Sequence, residues 1–433
     1  MAQATRTSPR RKTERCGRTV QRPTGAEGQG GDGQAGAGGE LPTCTNLPEV
    51  IQGPEDAASY QTLRARDGGY DAFATVFRNG PVELVFQRLD DEGTKLAEHR
   101  IDTSDLELDA YSAEPTADGG WVIAGTISSS ADGEDFAGLT ISTQSVSGGS
   151  DAFIARLAAD GNALWLRGIG SSDTYEVPDG DEPYLDGAEA GAYALAIGPD
   201  GAVAVVGQIQ GSVDLGDGVA HETGEAGSRF ALSLDDDGSV RWATLADDAW
   251  LASVGVDRDG RVITASEDGT HCRDASGADV WESPVSGWMS LDPEGNVYVS
   301  NAEVDGYDWD AHVTKLDRDG ALVWTHDFAT PAFEEGTTVA VGADLLPVVV
   351  VACEGPFDFG GGLVQTCGAR DMCVVWLDEA GEIADSVVYG DADENVVASS
   401  LVADDGSVWL AGGTWHNPSN GQDNEGYVYR VTR

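Results

Sequence analysis

Residues 288–331 read WMSLDPEGNVYVSNAEVDGYDWDAHVTKLDRDGALVWTHDFATP, and the order of turns in this stretch decides the fold. Four short β-rich runs follow one another. The first two are joined at Asp292-Pro293-Glu294-Gly295 and the last two at Asp317-Arg318-Asp319-Gly320. In such tight turns a glycine reaches positive φ without steric cost. The link between the second and third runs is longer and irregular. Four antiparallel strands connected in this way make one small twisted sheet, and repeating such sheets around an axis makes a β-propeller.

Working outward, the same turns recur in two sets. Asp67-Gly68, Asp118-Gly119, Asp200-Gly201, Asp259-Gly260, Glu294-Gly295 and Asp405-Gly406 fall between first and second strands, with Ala343-Asp344-Leu345-Leu346 as the unit that breaks the pattern. Gly93, Gly161, Gly238, Gly277, Gly320 and Gly381 fall between third and fourth strands. Four residues before the second glycine stands Leu89, Leu157, Leu234, Leu316 or Leu377, with Arg273 the exception. Four residues after it stands Trp165, Trp242, Trp281 or Trp324, the exceptions being Ala97 and Asp385. Large side chains at fixed offsets are packing residues that fill the wedge between neighbouring sheets.

The units number seven: Ala57 to Asp102, Leu108 to Ser171, Ala190 to Asp247, Trp250 to Val285, Ser286 to Pro331, Gly336 to Asp391 and Asn395 to Arg433. The fold class is therefore all-β, a seven-bladed β-propeller of four-stranded antiparallel blades over residues 43–433, preceded by a disordered segment over residues 1–42. Ala192 to Ile197 and Val348 to Ala352 read as innermost strands, because continuous apolar runs mark strands buried on both faces. The last unit ends at Tyr427-Val428-Tyr429-Arg430-Val431-Thr432-Arg433, which aligns with a third strand and leaves no fourth. An open edge invites aggregation. Thr45 to Gln52 is expected to supply the missing outer strand and clasp the ring.

The chain resembles the bacterial β-propeller repeat proteins called SBBP repeats. The resemblance rests on Leu291-Asp292-Pro293-Glu294-Gly295-Asn296-Val297-Tyr298-Val299, on Gly355-Pro356-Phe357-Asp358-Phe359-Gly360-Gly361-Gly362, and on Ser150-Asp151-Ala152-Phe153-Ile154-Ala155-Arg156-Leu157. It implies a secreted or surface-associated binding or scaffold protein, and it brings no catalytic residues with it.

Composition narrows the partners. The 433 residues hold 75 acidic side chains against 25 Lys plus Arg, a formal net charge of −50. Such a surface repels nucleic acid and anionic lipid. No apolar run approaches the roughly 18 residues of a membrane-spanning helix, so a soluble chain is expected. Only Lys12, Lys95 and Lys315 are lysines; a solvated acidic face of a secreted protein accounts for this, and a surface adapted to high salt is the other reading. The first 22 residues concentrate Arg6, Arg10, Arg11, Lys12, Arg15, Arg18 and Arg22, and Gly-rich sequence follows. That segment buries too little apolar surface to offset its ordering entropy. An organelle transit peptide, or a start codon misplaced relative to a signal peptide, would each explain its basic start.

Cys353 and Cys373 flank a loop that contains Cys367, so a bridge from Cys353 to either is reasonable, with Cys44 and Cys272 as distant partners. Three cysteines around one hairpin favour an oxidising compartment, here the extracellular space, cell surface or periplasm.

Topology divides the connections between two faces. Short glycine turns occupy one, while Ser128 to Gly149, Ser171 to Gly191, Gln208 to Gly227, Ala302 to Asp310, Glu354 to Met372 and Thr414 to Gly426 occupy the other, where a ligand site belongs. Asp135-Phe136, Asp214-Leu215 and Asp358-Phe359 recur there as loop pins. Tyr307, Trp309, Trp415, His416 and Tyr184 are the candidate ligand-binding residues, since rings beside carboxylates and amides suit sugars or extended peptides. Packing within their own loops is the competing reading. Asp179, Asp181, Glu182 and Asp186 offer oxygen ligands to calcium without EF-hand spacing, and no other cofactor is expected. The six histidines show no metal-ligand spacing, and neither a Gly-x-Ser-x-Gly elbow nor a phosphate loop occurs. The function expected is a non-catalytic, monomeric secreted or surface propeller that binds a protein, peptide or glycan through its long-loop face. The alternative is an enzyme, a lyase, hydrolase or quinone-dependent dehydrogenase, with a site assembled from several blades.

Overall fold

Both turns of the 288–331 stretch are built on an aspartate. Asp292 Oδ1 accepts the backbone N–H groups of Glu294 and Asn296, both at 2.9 Å, and Asp317 Oδ1 accepts those of Asp319 and Ala321, also at 2.9 Å. The side chain mimics a backbone turn, and Gly295 and Gly320 close it at φ +88° and +81°. All twelve glycines expected in the two turn sets have positive φ. In the unit that breaks the pattern Leu345 takes the glycine's place at φ +62°, and its N–H bonds to the Gly342 carbonyl at 3.0 Å as the turn glycines do.

The computed structural model describes residues 50–51, 58–66, 68–77, 82–146, 148–177, 184–246, 251–305, 308–328, 334–353, 371–390, 394–403, 405–415 and 425–431. The expected disorder of residues 1–42 lies outside them. Among the described residues, seven four-stranded antiparallel sheets form the blades. Blade 1 runs Ala58–Arg66, Gly69–Phe77, Val82–Leu89 and Lys95–Asp102; blade 2 runs Leu108–Pro115, Trp121–Ser128, Ser150–Leu157 and Ala163–Ile169. The other blades follow the same order, and the first strand of blade 7 adjoins that of blade 1. Blade 7 takes its fourth strand from the N-terminal side: Val50 pairs with Tyr429 and Ile51 with Val428, antiparallel. The expected clasp is thus present at Val50 and Ile51, and the rest of Thr45 to Gln52 lies outside the described residues.

One strand assignment is corrected. Ala190–Ile197 is an innermost strand, but Pro347–Cys353 is the second strand of blade 6, behind Glu334–Val341. Second strands are covered on both faces by neighbouring blades, and every residue of Pro347–Cys353 is buried. Innermost strands have one edge open to the axis, so continuous apolarity marks the second strand better than the first.

The tryptophans of the repeat pack between blades. A Cβ built on Gly238, Gly277, Gly320 or Gly381 would come within 2.9, 2.7, 2.6 or 2.5 Å of the ring of Trp165, Trp242, Trp281 or Trp324. Each ring thus lies on the third-to-fourth turn of the following blade. The exception at Asp385 has a physical reason: blade 7 borrows its fourth strand, so it has no such turn for blade 6 to cover. At the other exception His99 lies on Gly161. We expect Gly320→Ala to cost about 2–4 kcal/mol in denaturant unfolding, from left-handed backbone strain and overpacking together. Gly406→Ala, at φ +80° with nothing within 4 Å, should cost about 1–2 kcal/mol from the backbone alone. Equal losses would rule out the ring contact as the cause.

Candidate functional site

The first strand of a blade is an edge strand, and its open edge faces the axis. In blades 1, 2, 3, 4, 6 and 7 that strand carries a bulge that leaves Gln61, Tyr111, Tyr193, Ala252, Thr337 and Ala398 outside the register. A bulge twists the strand and re-aims the extra residue. Hydroxyls next to the bulges then satisfy edge donors of the next blade. Ser399 Oγ accepts from Leu63 N–H at 3.2 Å, Ser112 Oγ from Leu195 N–H at 3.3 Å and Ser253 Oγ from Met289 N–H at 2.9 Å. Ser290 Oγ donates to the Val339 carbonyl at 2.5 Å, and the Thr338 and Ser400 hydroxyls meet at 2.9 Å. This girdle knits blades together around an axial channel.

The channel has two chambers. One of about 390 Å3 lies toward the short-turn face, with an apolar wall that includes Ile197, Val256, Leu291, Val341 and Val402. The other, about 240 Å3, opens toward the long-loop face and is lined by Gln61, Tyr111, Tyr193 and Trp288 with the hydroxyl girdle. Arg64 and Glu114 line both chambers and pair with each other, Arg64 Nε to Glu114 Oε2 at 2.8 Å plus a second guanidinium N–H to Oε1. They are the charged residues of the described lining, and they neutralise one another. Trp288 is 55% exposed and Tyr111 43%. Tyr111 and Tyr193 lie with ring centroids 5.6 Å apart, and the Tyr111 hydroxyl accepts from Thr126 Oγ1 at 2.9 Å. Burial raises the Tyr193 hydroxyl above its ordinary pKa, so it stays a neutral donor. Beyond these rings a side groove of about 340 Å3 opens between blades 2 and 3, with Glu107, Asp109 and Glu189 on its rim. The mouth thus offers flat rings and neutral hydrogen-bonding groups beside an acidic rim.

Residues 229–366 match the family model described as outer membrane protein assembly factor BamB. The match takes in blades 4 and 5 whole and covers less than half of the chain. No curated protein matches it. Among solved structures it is similar to a Bacteroides caccae protein of unknown function, at 11% identity and TM-score 0.38, over 77% of this chain and 94% of that one. It is also similar to the Neurospora crassa Pan2 WD40 domain, at 11% identity and TM-score 0.44, over 86% and 89% of the two chains. The C-terminal WD40 domain of Sif2 is a third, at 10% identity and TM-score 0.44, over 90% and 99%.

Of the ring residues expected from sequence, Tyr184 begins an extra hairpin, Thr174–Val177 with Tyr184–Gly187, between blades 2 and 3. Trp309 stands near the start of the third strand of blade 5 and Trp415 ends the second strand of blade 7. Strand order places all three at the long-loop end but on separate blades. Tyr307 and His416 lie outside the described residues, as do Asp179, Asp181 and Glu182. Asp186 is described: its Oδ1 accepts the Gly187 N–H at 3.1 Å. Among the described residues no group of three or more His, Cys, Asp or Glu side chains gathers as a metal site does.

Two of the three loop pins are in place. Asp135 Oδ1 accepts Gly138 N–H at 3.2 Å beside buried Phe136, and Asp214 Oδ1 accepts Gly216 N–H at 2.7 Å beside buried Leu215; Asp358-Phe359 lies outside the described residues. Cys353 pairs with Cys373, Cα atoms 6.2 Å apart, which settles the choice left open by sequence. Cys272 is a buried free thiol that burial pushes up to about 11, a packing residue.

Sequence reading missed Gln61, Tyr111, Tyr193 and Trp288. A signal was present: Tyr111, Tyr193, Ala252 and Ala398 each stand eight residues before a first-turn glycine, namely Gly119, Gly201, Gly260 and Gly406.

Proposed function

We propose that the chain is a non-catalytic binding propeller that takes an extended polypeptide segment across its long-loop face. The observation that carries this reading is the convergence of Tyr111, Tyr193 and Trp288 on the mouth of a charge-neutral channel. Rings give large contact area at small entropic cost, and hydroxyls and amides beside them match a peptide backbone. Trp309, Trp415 and Tyr184, whose strand positions fall at the long-loop end, extend the contact outward in this reading, together with Tyr307 and His416, their neighbours in sequence. The net charge of −50 steers toward basic partners and away from nucleic acid. A neutral glycan would use the same rings but gain nothing from that field.

The setting fits an oxidising compartment, periplasm or cell surface: the Cys353–Cys373 bridge needs one, and the name of the matching family places its own members at the outer membrane. The finer likeness to SBBP repeats and a monomeric state belong to the same proposal. Selection of displayed random peptides on the immobilised protein tests it. Basic, aromatic-containing peptides whose association slows as salt rises are expected; neutral peptides with salt-independent association, or glycans from an array in their place, would overturn it.

The calcium site at Asp179, Asp181, Glu182 and Asp186 is kept as a proposal of its own. Calcium should raise the melting temperature beyond sodium at equal ionic strength, by the linkage of a ligand that binds the folded state. Identical melting in both salts removes it.

A further inference from the structure

The groove between blades 2 and 3 is built around two tyrosines. Tyr111 and Tyr193 are the extra residues that bulges leave in the first strands of these blades, and their rings stand 5.6 Å apart at an interplanar angle of 57°. Gly191 makes room for the second ring, since a Cβ there would come within 2.9 Å of it. The first is tied to the second strand of blade 2, its hydroxyl accepting from Thr126 Oγ1 at 2.9 Å. Both rings line the groove of about 340 Å3, and both are partly exposed. Gly148, Gly149 and Ala190 also line it, so little side-chain volume intrudes.

The charged residues of the described lining are Glu107, Asp109 and Glu189, all exposed. Glu107 Oε2 accepts from Ser130 Oγ at 3.0 Å. Asp109 and Glu189 have no side-chain hydrogen bond or ion pair among the described residues. One cation stands close by: Arg229 donates to Gln208 Oε1 and to the Tyr193 hydroxyl. It does not line the groove, and three carboxylates against its single charge leave a negative excess beside two rings. The short-turn face is different. There Arg156 takes Asp118 and Asp236, and Arg241 takes Asp200 and Asp235. A chain with few arginines pairs its turn carboxylates and leaves those of the groove unpaired.

We infer that this groove receives the guanidinium group of an arginine side chain carried by the bound segment. Ring faces, unpaired carboxylates and the hydroxyls of Ser128 and Ser150 together match a planar cation with five N–H donors. A lysine ammonium is compact and strongly hydrated, so it uses the charge but not the flat surface. The inference rests on the proposed function, because Tyr111 and Tyr193 border both the channel mouth and the groove. It adds the identity of one side chain.

The probe is Nα-acetylargininamide, added to the full chain at constant ionic strength and followed by line broadening of its side-chain resonances. Wild type should broaden them, and Nα-acetyllysinamide should bind about threefold or more weakly. Asp109→Asn and Glu189→Gln replace exposed, unpaired groups by neutral ones of equal size; each should weaken the probe about threefold, and the two together about tenfold. Tyr111→Leu should cost about threefold through the lost ring face. Glu379→Gln removes the same charge on the short-turn face and should change nothing. The inference fails if wild type leaves the probe sharp, or if the lysine probe binds as tightly. It fails equally if Glu379→Gln weakens binding as much as Glu189→Gln, because the overall field then attracts the cation. The two readings fail separately. A selected peptide that loses affinity through Trp288→Ala but not through the Asp109→Asn, Glu189→Gln pair leaves the channel mouth standing and overturns the arginine groove; a probe that needs both carboxylates, when no displayed peptide is selected, does the reverse.

Discussion

A chain that begins at Pro42 should melt as the full chain does, whereas one that lacks Thr43 to Gly53 should lose blade 7 as a cooperative part of the ring. The reason is the pairing of Val50 with Tyr429 and Ile51 with Val428, which supplies that blade's outer strand. Without it Glu425–Val431 becomes an open edge, although Tyr427, Val428 and Tyr429 are packed core residues of the blade. In a repeat architecture each unit is stabilised by its nearest neighbours, so the weakened blade should open before the rest. Calorimetry should show an added low-temperature transition, and limited proteolysis should cut first within residues 394–431. A single transition at the unchanged temperature would mean that the clasp contributes nothing.

Trp409→Ala should be among the most damaging single substitutions, at about 3–5 kcal/mol. Trp409 is fully buried where blade 7 meets blade 1, its ring centroid 3.9 Å from that of Tyr70. Its indole N–H donates to Ser407 Oγ at 3.2 Å, and the Arg430 guanidinium lies 5.7 Å from the ring centroid. Truncation opens a cavity at the closing junction and removes one of the two donors to the Ser407 hydroxyl, leaving Arg430 Nε at 3.3 Å. Trp288→Ala removes a ring of equal size that is half exposed at the channel mouth, and should change stability by less than about 0.5 kcal/mol. Chemical denaturation of the two variants checks both numbers, and similar losses would contradict the placement of Trp288.

The architecture was legible because its punctuation is chemical. Asp-x-x-Gly turns write seven of the twelve glycine hairpins into the sequence, and an Asp directly before the glycine marks the other five, since a short carboxylate side chain and the glycine's positive φ both favour the turn. Leu345 shows where residue type fails and register succeeds: it adopts the turn conformation at φ +62° without being glycine. The missing tryptophan at Asp385 becomes intelligible only once ring closure leaves blade 7 without a turn to cover. Sequence periodicity ranked Val348 to Ala352 as innermost because it measures burial on both faces, and in a propeller the second strand has more of that than the first. The channel mouth was illegible for a related reason. A bulge breaks the period-two alternation that assigns faces, so alternation does not mark Gln61, Tyr111 and Tyr193 as facing the axis, and only the eight-residue spacing of the two tyrosines to a first-turn glycine does. The ring residues picked from loops, Trp309, Trp415 and Tyr184, share one end of the propeller through strand order, and their role is part of the proposal.

The central claim, that ligand engages the channel mouth on the long-loop face, is tested most directly by the affinity of one selected peptide for two pairs of variants. Tyr111→Ala with Trp288→Ala, and separately Trp309→Ala with Trp415→Ala, should weaken binding about tenfold or more where a ring is an anchor. Asp319→Ser and Glu379→Ser, placed beside turn glycines on the opposite face, should leave the dissociation constant unchanged. Loss confined to the short-turn variants, or equal loss from both faces, would contradict the account.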